Sequence, residues 1–161
     1  MDATVAEDDR ISETLTFENV TFTVHDLGVG ESHSDSYWVM QHGTVKEAFI
    51  GDVVLNKVHA YLSDGHALEW LKHLKDLKTN LRDVSVLYPG HGLAGGLELL
   101  DWQREYIETY INNLKPLWID KKITDDEKAL LTEKMKAFLN NDKLSFLIGL
   151  GAEPVAREVI K

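Results

Sequence analysis

Three short segments hold residue types that could bind a metal ion and activate water. His33 lies in Gly30-Glu31-Ser32-His33-Ser34-Asp35, Asp52 in Phe49-Ile50-Gly51-Asp52, and His91 in Tyr88-Pro89-Gly90-His91-Gly92. Two imidazoles and a carboxylate suit zinc, manganese or iron. The imidazoles can hold an ion while leaving a position open for water, and bound water loses a proton near neutral pH to become a nucleophile. There is no cysteine, so disulfides and thiolate chemistry are excluded, and any ion must be held by histidine and carboxylate. Singly these residues say little: a loop histidine is usually a surface group, and Gly-Asp after a strand is usually a turn. They gain weight because each adjoins the end of an expected strand, where loops of an α/β sheet converge on ligands.

The elements that must position them follow from hydrophobic period. Leu15, Phe17, Val20, Phe22 and Val24 alternate about a turn at Glu18-Asn19, predicting two short strands. Gly28 to Ser36 is a polar loop. Tyr37–Gln41 and Val45–Ile50 predict a hairpin around His42-Gly43, with Gly51-Asp52 ending its second strand. Ala67–Thr79 carries Ala67, Trp70, Leu71, Leu74 and Leu77 on one helical face, and Val84–Tyr88 reads as a buried strand broken by Pro89-Gly90-His91-Gly92. A helix is expected over Leu97–Leu114. A second opens at the capping box Thr124-Asp125-Asp126-Glu127 and runs to about Asn140. Two short final helices are expected at Leu144–Leu150 and Val155–Ile160, broken by Gly149, Gly151 and Pro154. The class is mixed α/β in one domain over 1–161, with a flexible tail over 1–12, strands first, and a mainly helical stretch over 95–161.

Loop histidine, strand with Gly-Asp, helix, then strand with Pro-Gly-His-Gly resembles the second half of the metallo-β-lactamase superfamily, from about Phe17 to Ile111. Trp102-Gln103-Arg104-Glu105-Tyr106 also looks like the helix that follows the last ligand in many members. The resemblance implies half of an αβ/βα sandwich whose two halves pack sheet against sheet. It implies that His33, Asp52 and His91 are metal ligands, Asp52 bridging two ions and the histidines serving different ones. Gly51 to His59 resembles a segment in which a residue near His59 lines the substrate pocket. The family's upstream His-x-His-x-Asp-His motif does not occur here. His25-Asp26 is the nearest fragment and reads as the end of a strand. The missing ligands would come from outside this chain, which alone would bind metal weakly or not at all. The expectation is therefore a metal-dependent hydrolase, or an incomplete part of one, with zinc as its ion and a small-molecule ester, thioester, lactone or amide as substrate. A non-catalytic half-fold serving as an oligomerisation or assembly module is the alternative. Either would leave a sheet face uncovered, predicting a homo-oligomer or a complex with a separate N-terminal half.

The remaining features narrow the class. A net charge of −10 disfavours nucleic acid and anionic membrane surfaces as partners. No run approaches the ~20 apolar residues of a membrane helix, and the acidic start is no signal peptide, so a cytoplasmic protein is expected. His66 and His73 are expected on the exposed face of their helix, Glu31 and Asp35 as solvated loop charges, and Trp70 and Trp102 in the core.

Overall fold

Alternating apolar residues broken by tight turns make the first half of the chain a meander. The computed structural model describes residues 13–160; the tail expected over 1–12 lies outside them. Strands β1 (Thr14–Phe17), β2 (Val20–Gly28), β3 (Asp35–His42) and β4 (Val45–Leu55) pair antiparallel in chain order. Helix α1 (Ala67–Asn80) then returns the chain so that β5 (Val86–His91) lies parallel to β4, and the sheet order is β1-β2-β3-β4-β5. Helices α2 (Glu98–Leu114), α3 (Asp125–Leu139) and α4 (Phe146–Val159) follow. This is the mixed α/β architecture that the sequence implies.

Three elements differ from expectation, each for a local reason. β4 does not end at Gly51-Asp52. Gly51 takes φ 61°, the β4–β5 register shifts around it, and the strand resumes to Leu55. This bulge leaves a residue unpaired and re-aims its neighbour. β5 likewise continues through Pro89 to His91, which an edge strand permits because it has no further strand to receive an N–H. The last helices are one. Pro154 cannot donate to the Leu150 carbonyl four residues earlier, but the Ser63 hydroxyl donates to that carbonyl at 3.4 Å.

The helices are tied at their ends by borrowed and local caps. At α1 the side chain of His66 provides no cap; instead the Glu158 carboxylate of α4 accepts from the Ala67 and Leu68 amides at 2.8 and 2.9 Å. At α3 the expected capping box is complete: Thr124 N donates to Glu127 Oε2 at 2.7 Å, and Glu127 N donates to Thr124 Oγ1 at 3.3 Å. Thr124→Ala should lower stability by about 1 kcal/mol, read as a reduced urea midpoint; an unchanged midpoint would mean the box is not formed in solution.

Packing divides the sheet into two unlike faces. Tyr37, Ala48, Ile50 and Leu87 point toward the helices and are buried with Trp70, Leu74, Leu77, Leu100, Tyr106 and Ile107. The opposite face carries the alternate residues. Across it the register aligns Leu15 with Phe22 and Met40, and aligns Val24 with Trp38, Phe49 and Tyr88. No described helix lies over this second face: Phe17 is 73% exposed, and Leu15, Val45, Phe49 and Trp38 are also exposed. Phe49 and Tyr88 stack at 4.8 Å between ring centroids.

Candidate functional site

The end of β2, the start of β3 and the ends of β4 and β5 lie at one edge of the sheet, because β4 and β5 are parallel and β2–β4 alternate in direction. That edge carries all three predicted ligand segments. The bulge at Gly51 turns out Asp52, and β5 terminates in His91. Their side chains approach, with His91 Nε2 3.7 Å from Asp52 Oδ1, and both are more than half exposed. Gly90 makes this approach possible. A Cβ there would collide with the Asp52 carboxylate and lie 2.8 Å from the Asp52 amide nitrogen. The two strand ends are also laced together, since Asn56 N donates to the His91 carbonyl at 2.9 Å and Asn56 Nδ2 to the Leu93 carbonyl at 2.7 Å.

The His33 loop is built around a buried carboxylate. Asp35 accepts from the amides of Glu31 at 2.5 Å and Ser32 at 3.0 Å, and from the Ser32 hydroxyl at 2.6 Å. His73 of α1 donates Nε2–H to the Val29 carbonyl at 2.7 Å from the other side. A Cβ at Gly30, between these two groups, would lie 2.6 Å from the His73 ring and 2.7 Å from Asp35. Asp35 and His73 are both 6% exposed, so neither is the solvated surface group expected from sequence. Glu31 is pushed up to about 7, first by burial and then by the negative charges of Asp35, Asp52 and Asp64. Asp52 therefore acts electrostatically on the loop that carries His33.

His33 itself turns elsewhere. Its ring packs edge-on against His66 at 5.0 Å between centroids, and Nδ1 of His66 is buried without a hydrogen-bond partner. Among the described residues no three histidine, aspartate or glutamate side chains converge closely enough to hold a metal ion. The donor types suit a divalent transition metal, and the Asp52–His91 pair offers part of a coordination sphere, but the described residues do not close a site.

His59 is enclosed in the interior. It is 1% exposed, with Nδ1 3.0 Å from the Tyr106 hydroxyl and Nε2 2.9 Å from the Asn141 carbonyl. Both ring nitrogens are engaged inside the protein, so the ring joins α2 to the α3–α4 connection and offers no free atom to a pocket. His25 lies within β2, not at its end, and stacks on Tyr37 at 4.7 Å. Trp70 is fully buried and Trp102 packs against the core. The signal for His73 was available in the helix itself: it lies three residues from Trp70 and four from Leu77, on the apolar side.

No family model matches the sequence. Solved structures do match the fold. A metallo-β-lactamase from Pontibacter korlensis superposes with a TM-score of 0.50 at 19% identity, over 61% of this chain and 46% of that one. The DIM-1 metallo-β-lactamase, in a structure exposed to ceftazidime, gives 0.50 at 22% identity, over 61% and 44%. The stereoselective inverting sec-alkylsulfatase Pisa1 from Pseudomonas sp. gives 0.52 at 14% identity, over 92% of this chain and 25% of that one. The chain shares the fold of these metallo-β-lactamases over part of its length, and it spans less than half the length of each of these matched chains. Among the described residues no helix is long and apolar enough to cross a membrane.

Proposed function

We propose that this chain is the C-terminal portion of a metal-dependent hydrolase acting on a small-molecule ester, thioester, lactone or amide. The observation that carries the reading is the Asp52–His91 pair, held 3.7 Å apart at two strand ends, with Gly90 making the necessary room. A carboxylate and an imidazole so placed are two donors of a zinc, manganese or iron site, with zinc the best fit. His33 is the third, once its loop swings from His66. The remaining ligands come from outside this chain, from a second copy or from a polypeptide carrying the other half of the fold. The absence of cysteine is compatible with work in the reducing cytoplasm.

The test is zinc titration of the purified protein, with bound metal measured by plasma mass spectrometry after gel filtration. Weak binding near one ion per chain is expected, with affinity reduced about 10- to 100-fold in Asp52→Ala and comparably in Gly90→Ala. Equal zinc binding by wild type and Asp52→Ala would reject the assignment. A second reading is favoured by the lack of any three converging donors among the described residues. On that reading the chain is a non-catalytic assembly module that keeps the half-fold, and zinc is not retained at all.

A further inference from the structure

His66 is not the exposed residue that helical period suggests. It stands at the N-terminal cap position of α1, half-buried, with its ring against that of His33. Its side chain caps nothing, and its Nδ1 is buried with no hydrogen-bond partner among the described residues. A buried ring nitrogen left this way is costly, and folded proteins rarely keep one without a group that completes it. The ring it meets, His33, is exposed. The two centroids lie 5.0 Å apart with the ring planes at 67°. Two imidazoles bound tetrahedrally to one ion, each through a bond of about 2 Å, place their centroids roughly 5 Å apart. The pair already has the separation that a shared ion requires. A half-turn of either ring about its last side-chain bond exchanges nitrogen and carbon positions, so both can turn a nitrogen inward without backbone movement.

We propose that His33 and His66 bind a divalent transition ion between them, at a position distinct from the Asp52–His91 pair. The backbone on both sides is held in place for it. Asp35 gathers the His33 loop through Glu31 and Ser32, while His73, two turns along α1 from His66, ties the same loop at the Val29 carbonyl. Glu158 accepts from the Ala67 and Leu68 amides, and its charge offsets the positive pole of the helix beside His66. Asp52 and Asp64 both act on Glu31 through their negative charge, so the surroundings favour a cation. Two imidazoles prefer zinc, nickel or copper to magnesium and calcium, which take oxygen ligands. Water fills the remaining positions, since no third histidine, aspartate or glutamate among the described residues comes close enough. Binding is therefore weak. It requires neither a swing of the His33 loop nor a donor from another chain, and it does not rest on the Asp52–His91 reading.

Zinc titration of the isotope-labelled full chain, followed through the ring-nitrogen resonances of its histidines, tests it. The His33 and His66 rings should respond together with one midpoint. His42, an exposed ring at the other end of β3 from this loop, should respond only at markedly higher zinc. His66→Gln should weaken the zinc affinity read at His33 by at least about tenfold. His33→Gln replaces an exposed ring, so the fold is kept, and it should weaken the response of His66 to the same degree. Asp52→Ala should leave the paired response in place and diminish that of His91. A His33 ring that moves with His91 and not with His66 overturns the proposal while supporting the Asp52–His91 reading. A paired response that persists while His91 never responds supports the proposal and counts against that reading. A midpoint no lower than that of His42, an unchanged His33 response in His66→Gln, or no response of either ring at millimolar zinc overturns the proposal.

Discussion

Trp70→Ala should cost about 5 kcal/mol of stability, close to the whole stability of many domains. The indole is 1% exposed, set between α1 and the sheet, and its Nε1 donates to the Val53 carbonyl at 2.8 Å. Removing the ring leaves a cavity worth about 3–5 kcal/mol for an aromatic side chain. It also strands a buried carbonyl, adding roughly 1–3 kcal/mol where water cannot reach it. The bond has a second consequence, because Val53 follows Asp52 directly after the Gly51 bulge. Trp70 therefore pins the strand that aims the carboxylate. Trp70→Phe keeps most of the bulk and loses the bond, and should cost about 2 kcal/mol. Urea unfolding of the three proteins checks both contributions. An alanine variant within about 1 kcal/mol of wild type would mean that the ring is not part of the folded core.

The elements carrying strong periodicity were legible without coordinates. The turn at Glu18-Asn19, the apolar face of α1 and the Thr124 capping box each had a local physical signal, and each is present in the structure; the β3–β4 hairpin is present too, but its turn is Gly43-Thr44, because His42 still pairs with Val45. The placement of Gly30–Asp35, Gly51-Asp52 and Pro89–Gly92 near one sheet edge followed from strand order and direction. What could not be read was how buried polar groups settle their hydrogen bonds across long sequence separations. Asp35 reads as a solvated loop acid until its three local donors are seen to enclose it, and His73 reads as a surface histidine until the Val29 carbonyl comes within 2.7 Å. Pro154 reads as a helix break because nothing in the local sequence announces that Ser63 will serve the Leu150 carbonyl. His33 belongs to the same class. Its type and position mark a ligand, but its neighbour His66, 33 residues on, decides where the ring rests in this chain. The continuation of β4 beyond Asp52 is subtler. A Gly-Asp pair is a good turn signal, and only the parallel partner strand converts it into a bulge.

His59 joins parts of the fold that are distant in sequence, and its replacement should have the second large effect. With the Asn141 carbonyl accepting from Nε2–H, the neutral ring has Nδ1 free to accept from the Tyr106 hydroxyl, which itself accepts from the Ala60 amide at 3.3 Å. One tautomer satisfies every group. His59→Ala removes two buried hydrogen bonds and opens a cavity, and should cost about 3 kcal/mol. Protonation disrupts the same arrangement, because an Nδ1–H would face the hydroxyl that now donates to it. The pKa of His59 lies below its ordinary value of 6.5, chiefly through burial and also through nearby Lys136, while the bond to Asn141 works the other way. The unfolded chain thus binds a proton at this residue more readily than the folded one does. Its stabilising contribution is complete above 6.5 and is lost as pH falls from there through the folded-state value. Urea unfolding at about pH 7.5 and about pH 5.5 should show a larger loss for wild type than for His59→Gln, which is destabilised throughout but does not titrate. The difference between the two losses isolates this ring from His25, whose pKa is lowered in the same direction by burial. Equal losses in the two proteins would mean that His59 is solvated in the native state and that the link between α2 and the α3–α4 connection is made by other contacts.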